Sequence, residues 1–173
     1  MGRKRICIIS TGGTIEKTYD ELSGILSNRV SVLDVMLAGL VHHHLELARV
    51  PLMNKDSLEM SPLDHDLIAR TAGTMADSFD GVVVVHGTDT LTVTGHRMVE
   101  LLGTPRVPIV LTGAMRPYEL RSTDAVQNLT EALLGVQILP PGVYVAMHGR
   151  ALAFPGVVKD YELGTFVRRD GAA

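Results

Sequence analysis

Two hydrophobic periods alternate along the chain. Short β-branched runs are separated by longer segments in which apolar residues recur three and four positions apart. Residues 5–10 read as a buried strand ending at Thr11-Gly12-Gly13, and residues 44–52 as a weaker one. Val82-Val83-Val84-Val85 is apolar at consecutive positions, the pattern of a central parallel strand covered on both faces. Residues 107–111 and 143–147 read the same way, with Gly113 and Gly149 close behind, and residues 154–158 form a last strand-like run.

The helices between these runs carry clearer punctuation. Ser61-Pro62 offers an N-cap followed by proline at the first helical position, with Asp64 and Asp66 in the first turn. Leu63, Leu67, Ile68, Thr71, Met75 and Phe79 then recur at helical spacing. A second helix is predicted over 91–102, stopping at Gly103. A third starts near Ser122 and buries Ala125, Val126, Leu129, Leu133 and Val136, and a short apolar helix covers 30–40. Strands alternating with helices of this length predict βαβ units with right-handed crossovers. The fold class is therefore α/β, a doubly wound, mostly parallel open sheet with helices on both faces. Residues 1–167 read as one domain and 168–173 as a frayed tail.

Composition removes several function classes. With 46% hydrophobic and 20% charged residues over 173 positions, the chain can build its own core without a disulfide or metal staple. A net charge of −3 argues against nucleic acid or an anionic membrane as partner. Aromatic residues are 4% of the chain and none is Trp, which leaves little for base stacking. The single cysteine, Cys7, excludes an intramolecular disulfide and a Cys-rich zinc site. The apolar run at 6–9 is too short for a signal peptide, and Ile6 breaks the myristoylation pattern. No apolar stretch reaches the ~20 residues that cross a bilayer. A cytoplasmic enzyme or binding domain is the expectation.

In open α/β sheets, ligands bind beyond the carboxyl ends of the strands, near a topological switch point. Two segments fall there: Ser10-Thr11-Gly12-Gly13-Thr14-Ile15, and His86-Gly87-Thr88-Asp89-Thr90. Each joins glycines, which let a backbone approach a ligand closely, to hydroxyls at a strand end. Either one alone also describes an ordinary strand-to-helix turn with Thr and Asp as caps. Together, at neighbouring strand ends, they favour a site. Neither the Gly-x-Gly-x-x-Gly nor the Gly-Lys-Ser/Thr nucleotide fingerprint is present. A threonine hydroxyl attacks only when something takes or polarises its proton. Asp89 can supply charge and orient a base. Lys159 is a general base only if burial and neighbours lower its pKa; spacing alone reads it as a solvated surface lysine.

These residues resemble a known family, the bacterial L-asparaginases (asparaginase/glutaminase family). Thr11-Gly12-Gly13-Thr14-Ile15 and His86-Gly87-Thr88-Asp89-Thr90 are similar to its two signature motifs. Asp56-Ser57-Leu58-Glu59-Met60-Ser61-Pro62 resembles its substrate-binding loop, and Thr112-Gly113-Ala114-Met115-Arg116-Pro117 a further turn. Gly156-Val157-Val158-Lys159 falls where the family carries a catalytic lysine. Five motifs in family order, over residues 5–166, make the likeness specific. It implies the N-terminal asparaginase domain, flavodoxin-like or Rossmann-like in fold. The implied reaction is hydrolysis of L-asparagine to L-aspartate and ammonia, without metal or cofactor. By the same resemblance Thr14 attacks the amide carbon and forms an acyl-enzyme, and Tyr19 helps activate it. Thr88, Asp89 and Lys159 manage proton transfer and the attacking water, and which threonine attacks first stays open. Ser57 and Asp89 would hold the substrate's α-carboxylate and α-ammonium, with backbone of Gly13, Asp56, Leu58, Gly87 and Ala114 lining the pocket. Residues 17–24, with Tyr19 among them, suit a lid. The family also implies a homodimer or homotetramer, and its typical members have a second, C-terminal domain, so a short form with weaker substrate binding is the expectation here. A glutaminase, the ammonia-releasing subunit of a tRNA-dependent amidotransferase, and a non-catalytic amino-acid-binding remnant are the alternatives.

Three features have no role in that scheme. His42-His43-His44 cannot all face one ion from a strand, since successive side chains alternate, and they read as an exposed loop or strand edge. Cys7 reads as a core thiol. His86 is either a proton shuttle or a support for the glycine turn beside it.

Overall fold

The structure, a computed structural model, describes residues 2–27 and 32–169. In chain order the elements are β1 (Lys4–Gly12), β2 (Thr18–Asp20), β3 (Ile25–Ser27), α1 (Leu33–Ala38), β4 (Leu45–Lys55) and α2 (Pro62–Ala76). There follow β5 (Gly81–Val85), α3 (Leu91–Leu102), β6 (Pro108–Thr112), α4 (Ala125–Ile138), β7 (Gly142–Met147), β8 (Arg150–Ala153), β9 (Val157–Asp160) and β10 (Thr165–Arg168). Six strands form one sheet in the order β4-β1-β5-β6-β7-β8. All its pairings are parallel except β7 with β8. Connections leave β1 in one direction and β5 in the other, so the switch point lies between these two strands, where ligands of such sheets bind.

The continuous apolar runs divide between two faces by simple alternation. Cys7, Ile9, Val82, Val84, Ile109 and Leu111 pack toward α2 and α3. Ile6, Ile8, Val83, Val85 and Val110 pack toward α1 and α4. Burial on both faces is what makes β5 a run of four valines, each with no exposed surface. Burial also pushes the Cys7 thiol up to about 11, as suits a core residue.

Helix α2 begins with a full capping box: the Ser61 hydroxyl accepts from the Asp64 N–H at 3.3 Å, and Asp64 accepts from the Ser61 N–H at 2.8 Å. Its inner stripe is His65, Ile68, Ala69, Ala72 and Ala76. The alanines let it lie close to the sheet, and Leu63 and Leu67, predicted on the same face as Ile68, point outward at 78% and 47% exposure. Val126 on α4 is likewise 38% exposed, because Asn128 takes the buried position in that turn.

Four other expectations are corrected. The predicted helix over 30–40 is α1, Leu33–Ala38, and residues 30 and 31 lie outside the described residues. The strand expected at 154–158 starts only at Val157, since Pro155 has no N–H and Gly156 takes φ 91°. Lys159 is therefore inside β9, which pairs antiparallel with β10 in a small sheet of its own. Arg168, assigned to the tail, is the last residue of β10 and pairs with Val157; residues 170–173 lie outside the described residues. The segment read as a lid loop is the β2–β3 hairpin.

Candidate active site

The two glycine corners meet. Thr11 Oγ1 donates to the Val85 carbonyl at 2.9 Å, tying the end of β1 to the end of β5. Gly13, at φ 86°, lies so close to its neighbour that a Cβ there would sit 2.5 Å from Gly87 Cα and N. A Cβ on Gly87 would in turn sit 2.6 Å from the Ser57 side chain, and one on Gly113 2.3 Å from the His86 carbonyl oxygen. Four segments thus converge at the switch point, and only residues without side chains allow the approach. Thr14 and Thr88 each follow one of the touching glycines. Thr14 opens a 3-10 turn, is half-buried, and its hydroxyl has no hydrogen-bond partner among the described residues. Thr88 is buried.

Lys159 reaches this point from β9. Its Nζ donates to Thr88 Oγ1 at 2.9 Å and to Asp89 Oδ1 at 2.6 Å, with its side chain only 11% exposed. Spacing alone reads Lys159 as a surface residue, and the structure reverses that reading. The Tyr161 ring adds a third contact, its centroid 4.8 Å from Nζ. Tyr161 is a neighbour that the sequence did not flag.

The loop before α2 supplies the next wall. Ser57 is buried against Gly87, and its carbonyl accepts from Thr90 Oγ1 at 2.9 Å. Asp56 caps the short 3-10 turn at Ser57–Glu59 through the Leu58 N–H and pairs with Lys17 at 2.8 Å. Those partners hold its carboxyl below the usual carboxylate range. Ala114 is buried, whereas Leu58 points to solvent at 71% exposure. The Tyr19 ring is 56% exposed on β2, and its phenol makes no hydrogen bond to a described residue; its backbone N–H donates to Glu119 at 2.7 Å. The structure therefore brings Gly13, Ser57, Gly87, Thr88, Asp89, Ala114 and Lys159 to one corner, with Thr14 beside them and Tyr19 turned outward.

Two polar networks brace the corner. His86, fully buried, has Nδ1 2.7 Å from the Gly87 carbonyl and Nε2 2.8 Å from Thr94 Oγ1. Thr94 Oγ1 is also 2.7 Å from His65 Nδ1. On the other side Asp124 accepts from the Met115 and Arg116 N–H groups and from Asn128, and sits 2.7 Å from His148 Nε2. His148 Nδ1 meets Thr165 Oγ1 on β10 at 2.9 Å, so this imidazole ties the hairpin that carries Lys159 to the turn after β6. A cavity of about 410 Å³ lies between them, lined by Arg116, Asp124, His148, Lys159 and Tyr161. A larger groove, about 470 Å³, runs between α2 and α3 past His65 and Arg97 and contains none of the corner residues. Among the described residues, no cluster of His, Cys, Asp or Glu is placed to hold a metal, and no helix is long and apolar enough to cross a membrane.

Comparison with known proteins identifies the family of this fold. The family described as asparaginase, N-terminal, matches residues 5–160. The chain belongs to the asparaginase family. The L-asparaginase of Thermococcus kodakarensis is 32% identical over 162 residues, covering 92% of this chain and 49% of that protein. Its solved structure superposes with a TM-score of 0.86 at 31% identity, over 95% of this chain and 51% of that one. A probable cytoplasmic L-asparaginase from Campylobacter jejuni superposes with a TM-score of 0.82 at 30% identity, over 98% and 54%. A glutamyl-tRNA(Gln) amidotransferase subunit of Haloquadratum walsbyi is 36% identical over 149 residues, covering 83% of this chain and 33% of that protein. The asparaginase-family chain thus spans about half the length of the L-asparaginases it matches, and a third of the amidotransferase subunit.

Proposed function

We propose that the chain is an amidohydrolase whose substrate is L-asparagine, released as L-aspartate and ammonia. Thr14 Oγ1 adds to the side-chain amide carbon, and its proton is delivered to the amide nitrogen, which leaves as ammonia. A water deprotonated at the Thr88–Lys159–Asp89 cluster then opens the Thr14 ester, giving the acid and restoring the hydroxyl. Ser57 and Asp89 take the substrate's charged groups, and Tyr19 must swing inward with the β2–β3 hairpin to reach Thr14. The observation that carries this reading is the bond of Lys159 Nζ to both Thr88 and Asp89 from a strand 71 and 70 residues further along the chain. A surface lysine has no reason to be buried in that pairing.

The kinship with an amidotransferase subunit supports a second substrate, the amide of glutamine, handled by the same residues. Ammonia release from asparagine and from glutamine, on wild type and Thr14→Ala, separates the readings. We expect release from asparagine to dominate and to fall at least a thousandfold in Thr14→Ala. Release from glutamine alone favours the second substrate, full activity in Thr14→Ala overturns the nucleophile, and no release from either leaves a binding domain. A cytoplasmic homodimer or homotetramer completes the proposal.

A further inference from the structure

Lys159 reaches the corner from a strand that the main sheet does not hold. β9 pairs only with β10, so no ladder ties it to the parallel strands. Val157 and Phe166 anchor the hairpin in the core, but apolar packing is non-directional and does not fix where a strand points. Among the described residues, two hydrogen bonds besides those of Lys159 join this hairpin to the rest of the molecule. One is the contact of His148 with Thr165 on β10. The other lies just before β9, at Gly156, whose N–H donates to His96 Nε2 on α3 at 3.2 Å.

Both nitrogens of His96 are engaged. An N–H can only donate, so Nε2 must present its lone pair to Gly156, and the proton of the neutral ring sits on Nδ1. There it donates to the Thr92 carbonyl at 2.7 Å, one turn back on the same helix. The ring also meets Phe154 edge to face, with centroids 5.1 Å apart at 86°. Phe154 in turn lies so close to Gly95 that a Cβ there would sit 2.2 Å from its ring. Gly95 and His96 thus form a seat for the chain that leads into β9.

The spacing of that seat matters. α3 starts directly after Thr88 and Asp89, the residues that Lys159 binds. From its N-cap Thr90 to His96 the helix climbs six residues, about 9 Å. From Gly156 to Lys159 the chain advances three residues, about 10 Å. The two spans match, so one rigid helix meets the Lys159 segment at both ends.

We propose that His96 is a positioning residue: together with His148 it clamps the β9–β10 hairpin, and the clamp aims Lys159 Nζ at Thr88 and Asp89. Its effect on turnover rests on the amidohydrolase reading, whereas the placement of Lys159 does not. His96 touches no substrate atom. A hairpin held at Thr165 alone is free to swing, and the long Lys159 side chain then leaves Thr88.

His96→Phe keeps a ring edge on Phe154 and removes both nitrogens, while His96→Gln sets a carbonyl oxygen near the place of Nε2. We expect His96→Phe to lose roughly ten- to a hundredfold in kcat for asparagine with KM within threefold, as a misplacement of about 1 Å does. His96→Gln should recover to within fivefold of wild type. Thr165→Val cuts the other point of the clamp and should cost about tenfold in kcat, restored by Thr165→Ser; this pair decides the matter if His96→Phe does not fold. Acetylation of the folded protein, followed residue by residue by mass spectrometry, reads the clamp without turnover. Lys159 should react about tenfold faster in His96→Phe and Thr165→Val than in wild type, and at the wild-type rate in the Gln and Ser variants. Lys55, paired with Asp64 outside the hairpin, is the reference and should keep its rate throughout. Unchanged labelling of Lys159 in both His96→Phe and Thr165→Val, equal losses in the Phe and Gln variants, or a loss confined to KM overturns the proposal. A wild type inactive on both amides but showing that labelling pattern refutes the amidohydrolase reading and leaves the clamp in place.

Discussion

At the residue scale the site is governed by how close backbones can come. Gly13 is the sharpest case, since an added methyl meets Gly87 backbone at 2.5 Å while the residue also holds φ 86°. Gly24, in the β2–β3 turn, has a similar φ of 69° but open space around it. Gly24→Ala therefore carries only the left-handed strain, about 1–2 kcal/mol. Gly13→Ala adds a clash that neither backbone can relieve, and should cost more than that and abolish activity; urea unfolding and ammonia release measure both. Equal destabilisation of the two variants would mean that the corners do not touch. The glycines of this site were legible because two such strand ends, each also readable as an ordinary turn, fall on neighbouring strands of one sheet. Lys159 was not legible from spacing, because nothing local distinguishes a lysine tucked under a neighbouring hairpin from one in water. Tyr161, His148 and Thr165 were missed for the same reason: their contacts depend on how two separate pieces of chain meet.

Elements were legible where a local signal and a tertiary need coincide. The Ser61-Pro62 start of α2 and the Gly103 stop of α3 were both predicted, and the structure shows a capping box at the first and φ 61° at the second. Beside Lys55 and the Ser61 N–H, the Asp64 carboxyl falls to about 2. Ser61→Ala removes one half of the box and should lower stability by about 1 kcal/mol, read as a shift in the urea midpoint at constant slope. An unchanged midpoint would show that Lys55 alone holds Asp64. The small strands β2, β3, β8 and β10 escaped prediction because each is three or four residues long and pairs only with a neighbour, too short for a period of two to show. The outward turn of Leu63 and Leu67 has another cause: three alanines claim the inner stripe, where close approach to sheet and α3 outweighs side-chain size.

For the whole molecule, parallel-sheet architecture follows directly from runs such as Val82–Val85, and the switch point follows from the strand order; which buried polar groups serve that point does not. The histidines that brace the corner from beneath also set how stability depends on pH. His86 titrates at about 4 in the folded chain against 6.5 when unfolded, and burial also lowers His65 despite the neighbouring Asp64 and Asp66 carboxylates. An unfolded chain therefore binds protons between pH 6.5 and 4 that the folded one refuses, so stability falls as pH drops through that window. The His86 difference alone corresponds to at most about 3 kcal/mol, or roughly 6–12 °C in Tm for a domain of this size. The lowered carboxyls of Asp64, Asp56 and Asp124 act lower down: their contribution is intact above about pH 4 and is lost as pH falls below it, for Asp64 toward about 2. Calorimetry from pH 8 to 3 should thus show a decline that begins near 6.5, before any carboxylate titrates. His86→Asn cannot take up that proton and should flatten the upper part of the curve while leaving the lower part in place. A wild-type Tm constant between pH 6.5 and 4 would mean that His86 takes up its proton in the folded state as readily as in the unfolded one.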